Sequence, residues 1–108
     1  MKLVVATIQD QDVDGVLDGL RAQHIGVTRI GTTGGFLQQG NTTLLIGIEE
    51  RQVETALAEL RRNCKRRTQF TPIAHGGTPG PEGLYNYLEV EVGGAVVFVL
   101  DVERFEQM

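Results

Sequence analysis

The 108 residues have room for one hydrophobic core, and 41% hydrophobic with 22% charged residues is a globular composition, neither disordered nor fibrous. Fourteen acidic against ten basic residues leave a net charge of -4, which argues against a broad electrostatic footprint for duplex DNA or an anionic membrane. A single cysteine, Cys64, rules out an internal disulfide and a paired-cysteine zinc cage, and neither His24 nor His75 stands at metal-ligand spacing from it.

The opening Met1-Lys2-Leu3-Val4-Val5-Ala6 lacks the apolar run and cleavage site of a signal peptide, and no stretch reaches membrane-spanning length, so a cytoplasmic location is expected. Lys2 to Ile8 is a β-branched, apolar run of strand length. Gln9-Asp10-Gln11-Asp12 follows, with side chains suited to a helix N-cap and first turn. From Asp12 to Gln23 the apolar residues Val13, Val16, Leu17 and Leu20 recur at i, i+3, i+4 and i+7, the stripe of an amphipathic helix. Val27 to Gly31 reads as a second strand. Thr42 to Ile48 is again an apolar strand, Glu49-Glu50 a cap, and Val53, Ala56, Leu57 and Leu60 repeat the helical stripe, so strand plus helix is duplicated within the chain.

Lys65 to Asn86 holds three prolines and four glycines and is longer than an ordinary connection, which marks a long, flexible loop that is either functional or disordered. Arg61, Arg62, Lys65, Arg66 and Arg67 form the one positive cluster, either a helix end favoured by the C-terminal dipole or an approach for phosphate or a partner. The paired runs Tyr87 to Val92 and Ala95 to Leu100 close the chain, with Gly93-Gly94 read as their hairpin turn.

This order is βαββαβ with an extra C-terminal strand: an α+β, ferredoxin-like sandwich spanning 1–108 as a single domain, its helices on one face of the sheet. Its strands are apolar on both sides. Leu3, Val5 and Thr7 oppose Val4, Ala6 and Ile8, and two helices cover one face only. Eight residues follow Leu100, too few to cover the other, so a homo-oligomer with packed sheet faces is expected.

Two glycine-rich segments, Thr32 to Thr43 and Val92-Gly93-Gly94-Ala95, match neither the P-loop nor the dinucleotide fingerprint. In the first, glycines permit close backbone approach, threonine hydroxyls and Asn41 supply polar contacts, and Phe36 and Leu37 offer an apolar surface to a flat ring; a plain turn with Phe36 in the core is the competing reading. Glu89 and Glu91 alternate with Leu88, Val90 and Val92 as a strand's polar face, not a catalytic pair, and two histidines in loops assemble no Ser-His-Asp or Cys-His site. The residues point to binding without catalysis, with no metal and no cofactor.

At these residues the sequence resembles the PII-like cyclic-di-AMP receptor family over nearly its whole length. The resemblance is carried by Gln9-Asp10-Gln11-Asp12, Val27-Thr28, Thr32-Thr33-Gly34-Gly35-Phe36-Leu37, Gly40-Asn41-Thr42-Thr43 with Gly47, and Glu89-Val90-Glu91-Val92-Gly93-Gly94-Ala95 running into Val97-Phe98-Val99-Leu100. It implies a homotrimer that binds cyclic di-AMP in clefts between subunits, without turnover, and signals to a downstream protein partner through the loop at 65–86. Carried over by position, Thr28, Gly35, Phe36, Leu37, Asn41, Gly47 and Phe98 would line the pocket, and Gln107 would close over the ligand. His24-Ile25-Gly26 stands where family members carry Asn-Phe-Arg, which removes a charge-assisted contact typically worth about 1.5–3 kcal/mol; weaker binding, compensation by Arg29 or the basic loop, or another nucleotide in its place are the outcomes this leaves open. The ending Phe105-Glu106-Gln107-Met108 also departs from the family's Phe-His-Gln-Phe. A PII-like sensor of ATP or ADP is the alternative, and a small hydrolase of acylphosphatase type lacks its phosphate-cradling glycine loop and arginine here.

Overall fold

A computed structural model describes residues 1–32, 40–72 and 87–108. At its centre lie the two strands of the duplicated unit, β1 (Lys2–Gln9) and β3 (Asn41–Ile48), paired antiparallel from Lys2↔Ile48 to Gln9↔Asn41. β2 (Thr28–Thr32) flanks β3, and β6 (Ala95–Asp101) flanks β1, so the sheet runs β2-β3-β1-β6 with every pair antiparallel. That is the strand order of the split βαβ sheet, and it makes β6 the fourth core strand. The expected extra C-terminal strand is therefore corrected: the additional strands, β4 (Arg67–Pro72) and β5 (Tyr87–Val92), precede β6 and form a separate two-stranded ribbon.

Two further expectations change with it. The loop expected from 65 to 86 begins instead with a strand, its register running from Arg67↔Val92 to Pro72↔Tyr87; residues 73–86 lie outside the described residues. The runs 87–92 and 95–100 do not pair with each other, so Gly93-Gly94 is no hairpin turn. Both glycines take φ 92°, a left-handed backbone that side chains oppose, and they carry the chain from the ribbon into the main sheet. A Cβ on Gly93 would run into the backbone carbonyl of Lys65, with 2.8 Å to its carbon.

The alternation of the strands decides which face is buried. Val4, Ala6, Ile8, Leu44, Ile46 and Ile48 meet Val13, Val16 and Leu20 of α1 (Val13–Ala22) and Ala56 and Leu60 of α2 (Val53–Asn63) in one core. Each valine, leucine or isoleucine among them contributes on the order of 1.5–3 kcal/mol when fully buried. The helices approach closely because α1 presents Gly15 and Gly19, one turn apart, to Asn63 and Glu59 of α2; a Cβ on Gly15 would lie 2.6 Å from Asn63 Oδ1. Glu59, buried at this contact, is ion-paired with Arg62.

The duplication extends to conformation. Gln9 (φ -72, ψ 145) and Glu49 (φ -74, ψ 152) both end a strand in extended backbone and lead through a 3₁₀ turn into the helix. α1 ends in a Schellman motif: Ile25 N–H donates to Leu20 O and His24 N–H to Arg21 O, with His24 at φ 59° in the position usually given to glycine.

Candidate functional site

The face away from the helices leaves Ile30, Phe98 and Leu100 exposed and buries Thr7 and Asn41. Strand register lays it out in rows: Thr28, Leu45, Val5 and Phe98 in one, Ile30, Thr43, Thr7 and Val96 beside it, and Gly47, Leu3 and Leu100 on the other flank. Asn41 pairs with Gln9 at the end where β1 turns into α1. Thr28, Asn41, Gly47 and Phe98, drawn from three strands, thus fall on one face. Gly35, Phe36 and Leu37 lie outside the described residues, and Gln107 is exposed in the segment after β6.

The chemistry of this face is mixed in a way that suits a flat, polar-edged ligand. Phe98 is 52% exposed, which offers a ring face for stacking, and Leu100 and Ile30 extend the apolar surface beside it. Nothing lies within 4 Å of a Cβ built on Gly47, so a ligand can approach the backbone there. Thr28 is exposed, the Thr7 and Thr43 hydroxyls lie 3.1 Å apart, and Asn41 is held in place by burial. The Thr28 and Thr43 hydroxyls beside the apolar strip can meet base edges or phosphate oxygens while the strip takes the ring.

Cavities lined by described residues open on the helix side. One of about 430 Å³ lies between α2 and β6, lined by Leu57, Leu60, Cys64 and Val97 with Arg61 and Lys65. Another, about 280 Å³, lies between α1 and β2, lined by Leu17, Ile25 and Gly26 with Arg21 and Arg29. Neither contains any of the site residues expected from the sequence. Arg29 pairs with Leu44 in register, so it projects to the helix side, opposite to Thr28, and its place on the strand does not compensate on the open face for the arginine missing at Gly26.

The positive cluster is largely neutralised locally. Arg62 is ion-paired with Glu59, Arg67 Nη2 donates to Asp12 Oδ1 at 2.8 Å, and Arg61 lies 4.0 Å from Glu54. Arg61 and Arg62 occupy the last turn of α2, where the helix dipole favours them. Cys64 is 6% exposed, and burial pushes its thiol up to about 11; the charge of Asp12 adds to the shift and Arg67 opposes it. A thiol so held stays protonated at neutral pH and is a poor nucleophile. Among the described residues no group of three or more His, Cys, Asp or Glu could hold a metal ion, and no helix is long and apolar enough to cross a membrane.

One feature of the region escaped sequence reasoning. In Gln9-Asp10-Gln11-Asp12, expected as cap and first turn, neither Gln9 nor Asp12 makes a side-chain cap bond; the side chains of Gln9, Asp10 and Asp12 reach other segments. Gln9 Oε1 accepts from Gly93 N–H at 2.7 Å and from Gln11 Nε2 at 3.1 Å. Asp10 Oδ1 accepts from Thr42 Oγ1 at 2.6 Å, and its N–H donates to Gly40 O at 3.0 Å. Local polarity at a helix start looks the same in sequence whether it caps or ties, so only the fold distinguishes them.

A family model for the cyclic-di-AMP receptor matches residues 1–108. Among solved structures, a protein of unknown function from Pediococcus pentosaceus ATCC 25745 is similar at 40% identity and a TM-score of 0.77, over 99% of this chain and 96% of that one.

Proposed function

The chain belongs to the cyclic-di-AMP receptor family, and from that premise we propose that it is a signal-transduction receptor that binds cyclic di-AMP without turning it over. The ligand lies on the open sheet face, with Phe98, and with Phe36 and Leu37 of the glycine-rich segment, against adenine. Thr28 and Asn41 hydrogen-bond base or phosphate, Gly47 and Gly35 leave room for the ligand at the backbone, and Gln107 closes over it. The observation that carries this reading is the register that sets Thr28, Asn41, Gly47 and Phe98 on one face.

On that face the described residues leave large apolar side chains exposed, whereas pockets that hold small ligands bury most of the ligand. A second wall from another copy supplies the burial, and it also covers Ile30, Phe98 and Leu100, each more than two-fifths exposed in the single chain. A cyclic homotrimer in the cytoplasm, with a nucleotide in each of its clefts and a downstream protein as its reader, meets both needs. An ATP or ADP sensor of the PII-like kind shares the fold but is not favoured by the family match.

Isothermal titration calorimetry against cyclic di-AMP, with ATP and cyclic di-GMP as controls, tests the reading. Saturable binding near one ligand per subunit is the expected result. Heat with ATP and none with cyclic di-AMP would overturn it in favour of the alternative. Sedimentation at the same concentrations checks the trimer.

A further inference from the structure

We infer that the turn Gln9–Asp12 is a mechanical link between the start of β3 and the base of the β4–β5 ribbon, with Gln9, Asp10 and Asp12 as positioning residues. The inference deepens the proposed function, since a receptor must carry occupancy of the open face to a surface that a partner reads. Each of the three side chains holds a different piece of chain. Asp10 takes Thr42 Oγ1 on its carboxylate and Gly40 O on its N–H, at the point where the glycine-rich segment enters β3. Gln9 takes Gly93 N–H at the exit of the ribbon. Asp12 takes Arg67 at the ribbon's entry, and Arg67 also donates to Lys65 O at 2.9 Å.

The geometry makes the link stiff on both sides. Gln9 is 4% exposed, Asp12 5% and Thr42 3%, so each side-chain bond has a buried partner, while Asp10 and Arg67 reach the surface. Gly40 lies close under the Asp10 carboxylate; a Cβ there would lie 2.6 Å from Asp10 Oδ2 and push it aside. Gly94 N–H donates to Cys64 O at 2.6 Å, which fixes the ribbon's exit to the end of α2 as well. Asp12 Oδ2, by contrast, is buried with no hydrogen-bond partner among the described residues, so the entry side is held through a single carboxylate oxygen. A shift at Gly40 and Thr42 therefore has a covalently short path, residues 10 to 12, to the ribbon's entry.

Amide hydrogen exchange on the full chain tests the link without ligand. Thr42→Val removes the donor to Asp10 and keeps the shape; Arg67→Met removes the anchor of Asp12, and Arg67→Lys, which keeps the charge, serves if the methionine variant does not fold. Thr42→Val is expected to speed exchange at least threefold in 67–71 and 88–92, and the Arg67 variant to do the same in 41–43. Rates at Lys2–Val4, the far end of β1, stay at wild-type values, which a general loss of stability would not allow. Acceleration confined to the side that was altered, or equal acceleration at Lys2–Val4, would overturn the link. Calorimetry with cyclic di-AMP on the same samples keeps the two ideas apart: absent heat defeats the proposed ligand and leaves the exchange result standing.

Discussion

Gly93→Ala probes the junction on which the arrangement of the ribbon depends. The residue sits at φ 92°, and its added methyl would meet the Lys65 carbonyl, a backbone group that cannot swing aside. Backbone strain of this kind costs about 1–3 kcal/mol. Relieving the clash moves the chain away from Gln9 and Cys64, which weakens the bonds of 2.7 Å and 2.6 Å made by Gly93 N–H and Gly94 N–H, each worth about 0.5–1.5 kcal/mol. Together these give a loss of about 4 kcal/mol, a large part of the 5–15 kcal/mol typical of a domain. Urea unfolding followed by far-ultraviolet circular dichroism, at one fixed protein concentration, measures it. Gly47→Ala is the matched control, since its Cβ meets nothing within 4 Å and replacing a strand glycine gains about 0.5–1 kcal/mol. A Gly93→Ala protein within about 1 kcal/mol of wild type would refute the reasoning.

The other expectations concern the ligand face, the helix end and the thiol. Phe98→Ala should lower affinity for cyclic di-AMP by the roughly 1–3 kcal/mol of a lost base–aromatic stack, which calorimetry reads. Gly26→Arg restores the residue type that family members carry, at a position whose Cβ meets nothing within 4 Å, and should tighten binding by roughly tenfold or more. His24→Gly relieves a left-handed residue at the end of α1, and its gain of about 1–2 kcal/mol, offset by glycine's extra freedom when unfolded, leaves a rise of about 0.5 kcal/mol visible in the urea midpoint. For Cys64 the folded thiol ionises at about 11 against an ordinary 9.0, so stability is complete below pH 9 and falls as pH rises from there through 11, where the unfolded chain ionises first. A Cys64→Ala protein should lose that part of the alkaline slope, which unfolding series at pH 8 to 11 would show.

Much of the fold is legible in periodicity. Val13, Val16 and Leu20 mark the buried stripe of α1, Ala56 and Leu60 that of α2, and the alternation of Leu3 to Ile8 separates a helix-covered face from an open one. β4 was hidden because Arg67-Thr68-Gln69-Phe70-Thr71-Pro72 is mostly polar, ends in proline and pairs outside the main sheet, where no core writes an apolar pattern. The misreading of Gly93-Gly94 has the same root. Two strands around paired glycines satisfy the local signature of a hairpin, and only the distant Gln9 and Cys64 reveal that the chain crosses between sheets. At the site, period-two alternation is enough to group Thr43, Leu45 and Gly47, but the alignment of Thr28 with Phe98 across four strands is a property of register, which alternation within one strand does not contain.

The pairing of β1 with β6 joins Lys2 to Asp101, and the ion pair between those two side chains seals it. A ribosome delivers β1 first and β6 after both helices and the ribbon. In that interval β1 can be zipped to β3 on one side only, and the backbone donors and acceptors on its other side wait for a partner that has not yet been made. The nascent molecule thus carries an apolar, unpaired edge through most of its synthesis, the kind of surface that holdase chaperones cover and that neighbouring chains on a crowded polysome can seize.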